Sequence, residues 1–205
     1  MSKEVDCLLL AAGGSTRMGR PKLLMTVGAK TVLEIVLHEH LASSVGRICV
    51  TVPGGVGGFD AVAAAYGDER VAFLRVAGPS EMSESLKQGW GWLQAHGRPD
   101  GIMISLGDKP LVRSQTIDLV VGAFAGSRKL ICVPVHAGRR GHPVILDSAF
   151  DVEIGRTTGD RGALEILARH PDEIEEVTIA TDEILIDIDR LEDIETVRSR
   201  LEAYE

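Results

Sequence analysis

The sequence predicts an α/β fold, a three-layer α/β/α sandwich around a largely parallel sheet. Three observations predict it. Short β-rich apolar runs recur along the chain, stretches with apolar residues at helical spacing separate them, and no internal repeat, low-complexity tract or Pro/Ser-rich linker interrupts the alternation. With 205 residues, 44% of them hydrophobic, the chain can bury one sizeable core and is read as one domain over 1–205.

The elements follow in order. Strands are expected at 5–11, 47–52, 71–76, 101–106, 130–135 and 144–146, each an apolar run rich in Val, Ile and Leu, as a strand covered on both faces requires. Helices are expected at 32–41, 59–65, 83–96, 114–124 and 162–168, long enough to cover both faces of the sheet. Two further short strands are read at 177–180 and 184–188, and a last helix with polar faces at 193–204. Cys7, Cys49 and Cys132 each lie inside an apolar run, with no CxxC pair, so they read as buried thiols in a reducing, cytoplasmic setting.

A net charge of −8 with no polybasic block argues against nucleic acid as a partner, because neutralising phosphates takes a contiguous basic surface. No apolar run reaches the ~18 residues of a membrane span, and the first one follows Glu4 and Asp6 rather than a basic leader, which disfavours both membrane insertion and export. Small anionic ligands stay open. Arg17, Arg20, Lys22, Lys87, Lys109, Arg113, Arg139 and Arg140 fall in or beside expected loops, whereas the stretch from Asp172 onward is acidic.

In such a sheet, ligands gather where strands end and loops enter helices. The first strand runs into Gly13-Gly14-Ser15-Thr16-Arg17-Met18-Gly19-Arg20-Pro21-Lys22. Adjacent glycines let backbone N–H groups approach a phosphate, and Arg17 and Lys22 can neutralise it. Lys22 comes too late after Gly19 for a P-loop, and the glycines do not match GxGxxG, so both of those nucleotide fingerprints are rejected. An ordinary Gly-rich turn with solvated basic residues remains the plain alternative. His38 and His40, two apart on an expected helix, point to different faces and read as surface residues.

The stretch LLLAAGGSTRMGRPKLL resembles the nucleotide-binding signature of the cytidylyltransferases and guanylyltransferases that mature molybdenum cofactor, and AAG before the loop resembles the cytidylyl branch. The resemblance implies a Rossmann-like sandwich with a mixed, mostly parallel sheet of the nucleotide-diphospho-sugar transferase type. It also implies a nucleotide-binding first half and an acceptor-binding second half. Ala11, Ala12, Gly13, Gly14 and Ser15 would wrap the nucleotide, and Arg17 and Lys22 would hold its triphosphate. Four later segments are family-like. In Gly107-Asp108-Lys109-Pro110, Asp108 would bind Mg²⁺ or Mn²⁺ and join Arg17 and Lys22 in catalysis, though a Gly-Asp turn before Pro is common in any protein. Ser83 and Ser85 would lie beside the base, Ser83 also serving as helix cap. Arg140 and His142 of RGHPV and Asp160 of GDRGA would face the acceptor, Asp160 being equally a natural cap. Asp189 of DIDRLED would be the second metal ligand with Asp187 behind it, since alternate residues of a strand share a face; an acidic helix cap explains the same residues.

The implied reaction moves CMP from CTP to the phosphate of molybdenum-bound molybdopterin. A molybdenum hydroxylase or its assembly factor would be a transient partner. A guanylyltransferase, a transferase for another phosphorylated acceptor and a non-catalytic nucleotide-binding assembly factor are the alternatives.

Overall fold

The computed structural model describes residues 3–13, 21–77, 81–159 and 162–203. Gly14, Ser15, Arg17 and Asp160 lie outside the described residues, as do Arg20 and Tyr204. The described elements are, in order, β1 (Val5–Leu10), β2 (Thr26–Val27), β3 (Lys30–Thr31), α1 (Val32–Leu41), β4 (Ile48–Pro53), α2 (Phe59–Ala65), β5 (Val71–Val76), α3 (Met82–His96), β6 (Gly101–Leu106), α4 (Ser114–Gly126), β7 (Ile131–His136), β8 (Arg139–Arg140), β9 (Val144–Asp147), α5 (Asp151–Ile154), α6 (Leu164–Arg169), β10 (Ile174–Thr178) and α7 (Leu191–Glu202).

The main sheet runs β10-β7-β9-β6-β1-β4-β5, with β8 paired to β7. Parallel pairing holds for β1 with β4 and β6, β4 with β5, and β7 with β10; β9 is antiparallel to both of its neighbours. This is the α/β/α architecture expected from the alternation. Successive residues of β1 point to opposite faces. Cys7 and Leu9 join one core with Leu33 and Val36 of α1, Ile117 and Val120 of α4, and Ile194 and Val197 of α7. Leu8 joins the other with Leu86, Trp90 and Leu93 of α3 and Ile166 of α6.

The α3 face is packed tightly enough to exclude one methyl group. A Cβ on Gly89 would lie 2.2 Å from Leu8 Cδ1 and 3.1 Å from Thr51 Cγ2. Leu8 and Thr51 are fully buried. Gly89→Ala is therefore expected to cost about 1–3 kcal/mol through overpacking, although alanine is the better helix former. Chemical denaturation checks this, and an unchanged or raised midpoint would contradict it.

Several expectations are corrected. The segment 184–188 is not a strand: Asp182–Leu185 forms a 3₁₀ turn, and Ile188 N–H instead donates to Asp108 O at 3.0 Å. The strand read at 177–180 lies earlier, at β10, where its five residues pair in register with β7. The last helix begins at Leu191 rather than 193, because the Asp193 carboxylate accepts from the Asp189 and Arg190 N–H groups and so closes its first turn. His40 is not a surface residue; it is 2% exposed, while His38 is exposed.

The reversal into β9 carried no strong signal. After β7 the chain turns at Ala137 (φ 47°) and Gly138 (φ 75°), the pair of left-handed residues that a tight hairpin requires. Then β8 pairs back on β7. Val135 faces Arg140, but Ile131 faces Leu146, so the pairing slips by two residues between β8 and β9. The segment Gly141-His142-Pro143 absorbs that slip, with Gly141 so close to Ile184 that a Cβ would lie 2.5 Å from Ile184 O. His142 N–H donates to the same carbonyl at 3.2 Å. His142 is thereby set beside the end of β6.

Candidate active site

Backbone ties gather the strand ends into one edge. Gly107 N–H donates to Leu10 O at 2.9 Å, and Ala11 N–H to Thr51 O at 2.9 Å. Ala11 and Ala12 are buried, while Gly13 opens on to free space. Gly107 has little room for a side chain, since its Cβ would stand 3.1 Å from Leu23 Cδ1 and 3.2 Å from Leu10 O. Asp108 therefore leaves β6 hard against the exit of β1.

Lys22 meets it there. Pro21 leads into a 3₁₀ turn over Lys22–Leu24, buried Leu23 anchors that turn, and the Lys22 ammonium reaches Asp108 Oδ2 at 2.7 Å and Asp189 Oδ1 at 3.1 Å. Residues 22, 108 and 189, far apart in sequence, thus form one cluster. Burial works against the Lys22 charge, but Asp108 and then Asp189 outweigh it, so its pKa lies above the ordinary lysine value. Asp108 Oδ1, by contrast, is a buried oxygen with no hydrogen-bond partner among the described residues.

That orphaned oxygen bears on the implied divalent cation. A buried carboxylate oxygen left unpaired is costly. Asp108 and Asp189 together are a hard-oxygen donor set of the kind Mg²⁺ or Mn²⁺ takes. Among the described residues no group of three or more His, Cys, Asp or Glu side chains is placed to hold a metal. The residues therefore fit a cation that is shared with phosphate oxygens rather than caged by protein.

Ser83 and Ser85 sit in the first turn of α3, 2% and 4% exposed. Ser83 is not the cap that its sequence suggested. Met82 already belongs to the helix, Glu81 precedes it, and Ser83 N–H donates to Gly159 O at 3.1 Å. Glu81 Oε2 accepts from Gly159 N–H at 3.0 Å, so the loop leading to residue 160 is tied to the start of α3.

On the acceptor side the expected cations behave differently from one another. Arg140, on the exposed β8, forms an ion pair with Glu176 at 2.8 Å. His142 lies near Ile104 O, with Nδ1 at 3.4 Å, and burial pushes its pKa from 6.5 to about 4. At neutral pH it is uncharged. NMR titration of the ring should find its midpoint near pH 4, and one near 6.5 would contradict this environment. Because the unfolded ring takes its proton at the higher pH, His142 favours folding fully above about 6.5 and loses that contribution as pH falls towards 4.

Two features of this edge were not foreseen. Lys109 is only 7% exposed. It lines a recess of about 10 Å³ with His40, Ser105, Leu106, Val112, His142 and Pro143. The floor of that recess is fixed by hydrogen bonds: His40 Nδ1 lies 2.8 Å from Val36 O and Nε2 lies 2.7 Å from Ser105 Oγ. A carbonyl only accepts, so Nδ1 carries the proton; burial keeps the ring neutral, so Ser105 donates to Nε2. The sequence signal was slight: a lysine between a strand end and the apolar pair Leu111-Val112.

The three cysteines are free, buried thiols whose pKa values burial pushes up, so none has the character of a nucleophile.

A glycine-rich exit from the first strand, a lysine bridging carboxylates from two later loops, and an α/β/α sheet of this topology define the class of the nucleotide-diphospho-sugar transferase fold. The chain belongs to the MobA-like NTP transferase domain family, whose model matches residues 7–174. Among solved structures, Rv0371c from Mycobacterium tuberculosis H37Rv is 25% identical, with a TM-score of 0.81 over 97% of this chain and 99% of that one. A second structure of that protein is a complex with manganese. A homologue of it from mycobacterium sp. strain JC1 is 24% identical, with a TM-score of 0.82 over 100% of both chains. Among curated proteins, 2-C-methyl-D-erythritol 4-phosphate cytidylyltransferase from Aliivibrio fischeri (strain ATCC 700601 / ES114) is 30% identical over 138 residues, 66% of this chain and 53% of that protein. The chain thus spans about half the length of the curated relatives of this name that it matches.

No helix among the described residues is long and apolar enough to cross a membrane.

Proposed function

We propose that this chain is a cytidylyltransferase that moves CMP from CTP to the phosphate of molybdenum-bound molybdopterin, releasing pyrophosphate. The observation that carries the reading is the Asp108–Lys22–Asp189 cluster, with the orphaned Asp108 oxygen beside the exit of β1. The family match and the cytidylyltransferase relatives support nucleotidyl transfer, and AAG in the loop favours the cytidylyl branch.

In this proposal Ala11, Ala12 and Gly13 present backbone to the nucleotide, and Gly14, Ser15 and Arg17 continue that contact in the loop. Ser83 and Ser85 face the base. Asp108 and Asp189 would hold the divalent cation, which when bound supplies positive charge to the triphosphate oxygens. Lys22, no longer needed between the carboxylates, turns to the triphosphate and offsets charge on the departing pyrophosphate. The acceptor phosphate is already ionised, so no general base is required and catalysis rests on alignment and charge. Arg140, His142 and Asp160 belong to the acceptor side. Neutral His142 serves there as a hydrogen-bonding group rather than a cation. A cytoplasmic enzyme, handing its product to a molybdenum hydroxylase or its assembly factor, completes the reading.

The methylerythritol-phosphate relatives favour one second reading, the same cytidylyl transfer to a phosphorylated polyol. A panel of CTP, GTP, ATP and UTP with Mg²⁺ and molybdenum-bound molybdopterin, following pyrophosphate, tests the proposal. Turnover with CTP supports it. Turnover with GTP alone would overturn the cytidylyl assignment, and turnover with 2-C-methyl-D-erythritol 4-phosphate but not molybdopterin would establish the second reading.

A further inference from the structure

The Lys109 side chain is buried, but its ammonium nitrogen is not among the enclosed polar atoms left without a partner, so its charged end stays open to solvent. Its side chain donates no hydrogen bond to any described residue, although it is 7% exposed and carries three donors. Its stem lines the recess with Leu106 and Val112, as long basic side chains do when they keep the charged end in water. The carboxylates of Asp187, Asp108 and Asp189 act on its charge from a distance.

The surroundings say what kind of partner is absent. The recess has room for about one water molecule and no more, so anything larger must sit at its mouth. His142, on the rim, is neutral and cannot balance an anion. Ser105 is committed to His40, and Arg140 to Glu176. Among the described residues Lys109, next in sequence to Asp108, is a cation of this edge that lacks a hydrogen-bonded partner.

From this we infer that Lys109 binds the anionic group of the acceptor, a phosphomonoester, at the mouth of the recess, and so selects phosphorylated over unphosphorylated acceptors. The inference rests on the nucleotidyl-transfer reading, but its test does not require turnover. Inorganic phosphate is titrated calorimetrically into protein saturated with Mg²⁺ and the non-hydrolysable analogue α,β-methylene-CTP, so that the triphosphate loops are already filled. Wild type should bind phosphate, Lys109→Met should bind it at least tenfold more weakly, and Lys109→Arg should recover most of the loss. The affinity of each variant for the CTP analogue should change less than about twofold.

Thermal unfolding separates this from a structural role. Lys109→Met should unfold at about the same temperature, since the packing of the stem is kept and the ammonium makes no hydrogen bond to a described residue. A lower unfolding temperature with unchanged phosphate binding would make Lys109 a mere counter-ion for Asp187 and overturn the inference. Equal phosphate affinity in wild type and Lys109→Met, or no phosphate binding by wild type, would overturn it too. If phosphate binding follows the inference while no nucleotide turns over, the functional reading fails and the anion site stands.

Discussion

Asp108→Asn should lower turnover about 10³-fold while leaving CTP binding within about tenfold of wild type, the pattern of a group whose charge matters most in the transition state. The substitution keeps the shape and removes the charge. It takes away the carboxylate that holds Lys22 at 2.7 Å and an oxygen that is buried and unpartnered among the described residues. Asp189→Asn should cost less, because the Asp189 side chain is about half exposed and its contact with Lys22 is longer, at 3.1 Å. Pyrophosphate release under saturating CTP gives the turnover number, and isothermal titration gives the affinity. If Asp108→Asn kept a tenth or more of wild-type turnover, Asp108 would not be the centre of the site.

Lys22→Met is the second large effect. Turnover should fall about 10²- to 10³-fold, as when one preorganised donor to developing charge is removed. CTP should bind at least tenfold more weakly, because in the proposed role the ammonium meets the ground-state triphosphate as well. This combined loss distinguishes it from Asp108→Asn. The variant should also be less stable by about 1 kcal/mol, since Asp108 and Asp189 then face each other without a cation between them. Lys22→Arg should restore stability more fully than turnover, because a planar fork cannot replace a point charge between two carboxylates without moving them. Equal CTP affinity in wild type and Lys22→Met would remove Lys22 from the triphosphate site.

The residues behind these two effects show how far sequence alone reaches. Gly13, Lys22 and Asp108 were legible because each follows a strand end, and a parallel sheet brings such ends to one edge. The alternation named the strands, but the division of β1 between the two cores, Cys7 and Leu9 on one side and Leu8 on the other, is a finding of the structure. Asp189 was found through the resemblance, on the premise of a strand that does not exist there. What holds it is the capping carboxylate of Asp193 and the single bond from Ile188 to Asp108 O. Neither contact has a periodicity to betray it.

Charge was legible as a count and not as a pairing. Basic residues near the loops suggested an open cationic cleft, yet Lys22, Lys87, Arg113 and Arg140 each have carboxylate partners. Those four charges are thereby balanced by neighbouring carboxylates before any ligand arrives. Long-range partners such as Glu39 for Arg113 and Glu176 for Arg140 depend on tertiary packing, which short sequence windows do not carry. The burial of Lys109 and His40 has the same origin. Both lie under the reversal into β9, set by Ala137, Gly138 and the close approach of Gly141 to Ile184.

In the proposed mechanism Asp108 and Asp189 share a divalent cation with the triphosphate of CTP. Electron paramagnetic resonance of Mn²⁺, titrated into the protein with and without CTP, tests it most directly. Mn²⁺ alone should bind weakly, CTP should tighten its binding at least tenfold, and Asp108→Asn should lose that enhancement. Mn²⁺ bound with the same affinity with and without CTP, or an enhancement that survives Asp108→Asn, would contradict it.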